Sequence, residues 1–176
     1  MVGTRHPFLP IPVIPEHTRY IKAGAITIGV GYRLLNDKIA SEYLKEVGME
    51  REYSREGAGY TRVDDGGVSI FIFGEEQGEL VEHFRFDVFD AQPHYHYSFQ
   101  KEKAQERVLL DTAVIGDPRA WALDCLRNRM PSVLEKAGAH DLAARVDTRD
   151  IDDAMPQIVA ALDEAAKEYR QATGKA

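Results

Sequence analysis

The segment His94-Tyr95-His96 is the clearest chemical lead in the chain. Two histidines at i and i+2 on a strand project to one face, about 6–7 Å apart at Cα. Imidazoles placed that way can converge on one ion, each at about 2.0–2.1 Å. The run just before them, His83-Phe84-Arg85-Phe86-Asp87-Val88-Phe89, alternates polar and apolar residues. So does His94 to Phe99, with Tyr95, Tyr97 and Phe99 on one face and His94, His96 and Ser98 on the other. A turn at Asp90 to Pro93 joins the two runs as a β-hairpin. The simplest register pairs Phe89 with His94, Asp87 with His96 and Arg85 with Ser98. That register keeps the aromatic set on one face and the polar set, including His83, on the other. A slip of one residue would mix them.

Three kinds of chemistry fit this patch. Two histidines and a carboxylate with an open coordination position suit a divalent metal, zinc or non-haem iron, on His94, His96 and Asp87. Without a metal, His96 oriented by Asp87 is a candidate general base. Arg85, Ser98 and Arg107 are then the ligand-binding candidates, the arginines holding a small anionic ligand. The plainest alternative is a cross-strand Asp87–His96 pair worth about 0.2–1 kcal/mol, with no ligand at all. Extending the pairing outward sets Arg107 opposite Ser98, Leu109 opposite His96 and Asp111 opposite His94, making Asp111 the candidate fourth ligand. Ser69, Phe71 and Val81 are expected on the same face.

Other reactive residues offer less. Ser54, Ser69, Ser98 and Ser132 stand in no Gly-x-Ser-x-Gly context. Cys125, the one cysteine, shares a helical face with Trp121 and reads as buried structure. Gly29 and Gly31 lack the third glycine of a dinucleotide loop and point to close packing or a bulge. No phosphate-binding loop is present.

The elements that must position the hairpin follow from periodicity. An extended proline-rich arm covers residues 1–20, with Pro7, Pro10, Pro12 and Pro15 in nine positions. Its apolar residues want burial, as a strap across the body or an arm reaching a second subunit. A single α+β domain follows at 21–176, β-rich over 21–112 and helical over 117–173. Ala25 to Leu35 reads as a strand, and Asn36 or Asp37 caps a helix that Gly48 closes. Asp64-Asp65-Gly66-Gly67 signals a turn ahead of the strand Val68 to Phe73. A second turn at Gly74 to Gly78 leads to Leu80 to Phe89, and a last strand runs Arg107 to Leu110. Asp117-Pro118 opens a helix that Pro131 ends or kinks, and Thr148 or Asp152 opens the last one, with Pro156 in its first turn. The fold expected is α+β: an antiparallel β-meander of four to six strands packed on one face by C-terminal helices.

Composition narrows the function. The 176 residues carry a formal charge of −7 and no basic stripe, which argues against nucleic acid. No apolar run approaches the roughly 20 residues of a membrane span, and a single cysteine suits a reducing cytoplasm. Two readings remain. One is a soluble cytoplasmic interaction or accessory protein with a protein partner or a second copy in a homodimer, in which the aromatic hairpin is core; exposure of Tyr95 and Tyr97 would favour a partner surface. The other is a small-molecule-binding or metal-dependent enzyme using the 83–98 hairpin. Convergence of His94 and His96 on a carboxylate inside a pocket would favour the second.

Overall fold

The computed structural model describes residues 3–50 and 64–174, and Ser54 lies outside them. Seven antiparallel strands form one curled sheet. They are β1 (Thr4–His6), β2 (Thr18–Ala23), β3 (Ile26–Asn36), β4 (Asp64–Glu76), β5 (Glu79–Phe89), β6 (His94–Phe99) and β7 (Ala104–Leu109), in the order β1-β7-β6-β5-β4-β3-β2. Helices α1 (Asp37–Glu46), α2 (Thr112–Ile115), α3 (Pro118–Lys136), α4 (His140–Ala143) and α5 (Thr148–Thr173) complete the order.

The α+β class and the antiparallel sheet agree with the sequence, but the strand count is seven, not four to six. The two additional strands sit at the edges. β1 is three residues of the proline-rich arm added to β7, with Thr4 opposite Arg107. β2 turns into β3 through Gly24, whose φ of +58° suits glycine. β1, at three residues, is too short to show alternation.

Alternation sorts the side chains into two layers. Ile28, Ile72, Phe84 and Tyr97 stand opposite one another across four strands and face the helices. Leu126, Met130 and Leu134 of α3 pack there with Ile151, Ile158, Leu162 and Ala165 of α5. These residues are almost fully buried, and each large aliphatic side chain contributes about 1.5–3 kcal/mol of transfer free energy. Pro131 does not end its helix, and Pro156 is not in the first turn of the last one. α3 runs through Pro131 to Lys136, and α5 starts at Thr148, which puts Pro156 well beyond the first turn.

The Asp64–Gly67 segment is strand, not turn: it pairs with Asn36 to Arg33 of β3. Its glycine answers to close approach instead. A Cβ on Gly66 would lie 2.5 Å from the Arg33 carbonyl oxygen and 3.0 Å from the Tyr169 ring. Its aspartate answers to a loop. Asp65 Oδ1 accepts from Ala91 N–H at 3.1 Å and Oδ2 from Gln92 N–H at 2.8 Å.

That clamp explains a correction to the hairpin. Val88 and Phe89 pair with β4 alone, while β6 joins β5 only from Asp87 inward. The pairs are Asp87 with His94, Arg85 with His96, and Phe84 with Tyr97. The register is therefore two residues away from the simplest one, because the 88–93 loop is held open against β4. The next pair moves likewise: His96 faces Arg107, His94 faces Leu109, and Ser98 faces Gln105. Asp111 instead caps α2, accepting from Ala113 N–H. A slip of two preserves the faces, so the polar set survives intact.

Candidate functional site

Two cross-strand ladders carry the polar face. One runs Gly31, Ser69, Asp87, His94, Leu109, and its neighbour runs Gly29, Phe71, Arg85, His96, Arg107. Directly opposed side chains stand about 4.5–5.5 Å apart at Cβ, so Asp87 and His94 meet by register. His96 lies on the same strand as His94, two residues on.

The three side chains converge. His94 Nε2 lies 3.3 Å from Asp87 Oδ2, and His96 Nε2 lies 3.2 Å from the same oxygen. All three residues are buried. Their ligand atoms lie within 4.8 Å of one another. Tetrahedral bonds of about 2.0–2.1 Å would separate ligand atoms by about 3.3–3.4 Å. Both imidazole–carboxylate edges already match that value. The His94–His96 edge is no longer than 4.8 Å.

Hydrogen bonding sets the protons. His94 Nδ1 is 2.6 Å from the Gln92 carbonyl oxygen, which can only accept. Nδ1 therefore carries a hydrogen, and Nε2 is the nitrogen turned to Asp87. A histidine ligand held by its other nitrogen on a carbonyl is the usual support of a metal site. Asp87 Oδ1 accepts from Ser69 Oγ at 2.5 Å, which fixes the carboxylate. Asp87 Oδ2 has no aligned hydrogen-bond donor among the described residues, and neither has His96 Nδ1. Buried polar atoms rarely stay unpaired.

Electrostatics keep two of the three donors, His96 and Asp87, deprotonated. Burial lowers the pKa of His96 to about 3, against the pull of Asp87, so the ring is neutral at pH 7. Burial alone would raise the Asp87 carboxyl, but the adjacent His94 and His96 rings and the charge of Arg85 hold it well below the usual carboxylate range. Proton competition for an incoming cation is therefore weak at His96 and Asp87.

Arg85, expected to hold an anion, is committed elsewhere. Its Nε donates to Glu82 Oε1 at 3.0 Å and its Nη2 to Glu82 Oε2 at 2.8 Å. Nη2 also donates to the Ile11 carbonyl at 2.9 Å, and the guanidinium lies 4.7 Å over the Phe71 ring. A β-bulge makes the Glu82 contact. Ile72 pairs with Phe84 but Phe73 pairs with Glu82, so His83 is an extra residue. Ahead of the bulge the alternation inverts. Glu82 joins Arg85, Val81 faces Gly74 rather than the site, and His83 turns to Glu76 at 3.2 Å. Ser98 lies beside Glu82, its Oγ 3.4 Å from Oε1, and Arg107 donates to the Gln92 side chain at 3.1 Å.

Sequence reasoning missed Arg33. It is 2% exposed on β3, with Nη1 3.9 Å from Asp87 Oδ2. Burial is the largest influence on it and lowers its pKa to about 10. Its signal was visible as a lone long cation within the apolar and glycine-rich run from Ala25 to Leu35.

A cavity of about 330 Å³ collects these groups. Asp87, His94, His96, Arg33, Gln105 and Arg107 line its polar side, and Phe8, Pro10, Leu35, Ala40 and Leu44 its apolar side. The volume falls at the small end of the roughly 300–1,000 Å³ of ligand pockets. The proline-rich arm helps to close it: Tyr43 Oη donates to the Leu9 carbonyl at 2.7 Å, and Arg33 and Arg85 both donate to that of Ile11.

Fold and site together define an α+β protein whose antiparallel sheet is packed by helices on one face and carries a buried polar cavity on the other. The chain belongs to the family described as Domain of unknown function (DUF7700), which it matches over residues 20–162. That span contains Arg33, Glu82, Asp87, His94 and His96. Comparison with curated proteins and with solved structures gives no match. Among the described residues, no helix is long and apolar enough to cross a membrane.

Proposed function

We propose that this protein is a metal-dependent enzyme acting on a small molecule, with Asp87, His94 and His96 holding one divalent ion, zinc or ferrous iron. The observation that carries this reading is the meeting of His94 Nε2 and Asp87 Oδ2. Both are acceptors when His94 is neutral, both are buried, and they stand 3.3 Å apart. Such a pair calls for a cation. A proton would have to lie near the N···O line, but Oδ2 has no aligned donor. A metal lies off that line, where the three lone pairs meet.

Two imidazoles and a carboxylate leave coordination positions open, which suits a catalytic rather than a structural ion. When bound, such an ion supplies Lewis-acid activation of a substrate oxygen. The protein's own groups do the rest: Ser69 and the Gln92 carbonyl fix the orientation of Asp87 and His94, and the arm limits access of water. In this reading His96 is a ligand rather than the general base.

An interaction surface on this hairpin would need exposed tyrosines. Tyr97 is only 8% exposed, and Tyr95 stacks on Trp121 with ring centroids 5.7 Å apart. Those aromatics serve the core beneath α3.

Titration of Zn²⁺ and Fe²⁺ against a chromophoric chelator tests the proposal. The wild-type chain should take up one equivalent of at least one of these ions, and Asp87→Asn should bind it at least about tenfold more weakly. Absence of uptake, or equal uptake by the variant, overturns it.

A further inference from the structure

Among the described residues, Arg33 is the one arginine at the cavity with a buried N–H left unpartnered. A guanidinium has five N–H donors. Nη2 donates to the carbonyls of Ile11 at 3.0 Å and Pro12 at 3.4 Å. Nη1 stands 3.9 Å from Asp87 Oδ2, beyond hydrogen-bond length, and Nε has no partner among the described residues. The other charges nearby are engaged: Arg85 with Glu82, Arg107 with Gln92, and Asp65 with the N–H groups of Gly66, Ala91 and Gln92. Asp64 is exposed.

From this we infer that the cavity binds a small carboxylate with an apolar tail, one carboxylate oxygen on Arg33 and the other at the open position beside Asp87, His94 and His96. The inference rests on the metal reading above and names its substrate class. Arg33 lies 3.9 Å from a ligand oxygen of the site, so a single carboxylate spans both. A carboxylate monoanion can accept from Nη1 with one oxygen and leave the other for the open position. A phosphate dianion would bring a second charge that no free cation meets among the described residues. Phe8, Pro10, Leu35, Ala40 and Leu44 supply the wall for the tail, and the cavity's 330 Å³ restricts its length.

The test is calorimetry on the full-length, zinc-loaded protein with hexanoate, 1-hexanol, acetate and hexyl phosphate. Hexanoate is expected to bind about tenfold or more tightly than each of the other three. Arg33→Met should keep its zinc and lose about tenfold or more of the hexanoate affinity, with Arg33→Lys in between. Ala40→Leu, which fills the apolar end, should erase the preference for hexanoate over acetate and leaves Arg33 untouched should the Met variant fail to fold. Equal binding of hexanol, tighter binding of hexyl phosphate, or no hexanoate binding by protein that holds zinc overturns the inference while leaving the metal site standing. If the protein holds neither Zn²⁺ nor Fe²⁺, the metal reading fails. Hexanoate binding to the metal-free chain that Arg33→Met abolishes then still supports the carboxylate pocket, and its absence overturns that as well.

Discussion

Asp87 and His94 face each other directly across β5 and β6, with carboxylate oxygen and imidazole nitrogen 3.3 Å apart and no hydrogen aligned between them. The imidazole's hydrogen is on the far side, on the Gln92 carbonyl. Ser69 secures that arrangement through Asp87. Ser69→Ala removes the 2.5 Å hydrogen bond to Oδ1 and should weaken Zn²⁺ or Fe²⁺ binding about 10–100-fold without changing the one-to-one stoichiometry. Chelator competition reads the affinity, and an unchanged value would contradict a supporting role.

Glu82 is the counter-ion of a fully enclosed cation. Arg85 is 1% exposed and takes two hydrogen bonds to the Glu82 carboxylate. Glu82→Gln keeps the shape and removes the charge, leaving Arg85 buried without its partner. The loss should be about 3–5 kcal/mol of unfolding free energy in denaturant titration of the metal-free protein. A loss under about 1 kcal/mol would mean that Asp87 or solvent already compensates Arg85.

Much of the site was legible, and the misses share one cause. Faces follow from alternation, which survives any even slip, so Asp87, His94 and His96 fall together even though Asp87 pairs with His94 and not with His96. Absolute register was not legible, because it depends on Asp65, twenty-odd residues away, clamping the 88–93 loop to β4. The bulge at His83 reversed the expected side of Glu82, and alternation alone cannot show an extra residue. The Asp-Gly signal at 64–67 was misread because glycine also serves close backbone approach, here against Arg33 and Tyr169. Arg33 itself was in view, and only the burial of its strand on both faces gives it significance.

Acid should destabilise the metal-free protein in a way that traces to His96. Its folded pKa is near 3, below the roughly 6.5 of an unfolded histidine. The unfolded chain therefore binds a proton below about pH 6.5 that the folded chain refuses. The stability contribution is complete above that pH and is lost as pH falls toward 3, by at most about 1.4 kcal/mol per pH unit. Asp87, also depressed, adds a loss of the same sign below about pH 4. Denaturant titrations between pH 7 and pH 4 should show a slope that is shallower by up to one proton in His96→Gln. Identical slopes would contradict a buried neutral His96.

The arm contributes acceptors to the interior. The Ile11 carbonyl takes hydrogen bonds from both Arg33 and Arg85. Each hydrogen bond to a charged group is worth about 1.5–3 kcal/mol. Removal of residues 1–13 should therefore cost at least about 3 kcal/mol in denaturant titration. An unchanged unfolding midpoint would show that water replaces the arm at no cost.

The most direct measurement is the metal content of untagged protein purified without chelator and reconstituted with Zn²⁺ or Fe²⁺, beside the His94→Ala/His96→Ala variant. The account predicts about one ion per chain in the wild type and none retained by the folded variant. No bound metal in the wild type after reconstitution, or equal metal in both, would contradict a shared ion at Asp87, His94 and His96.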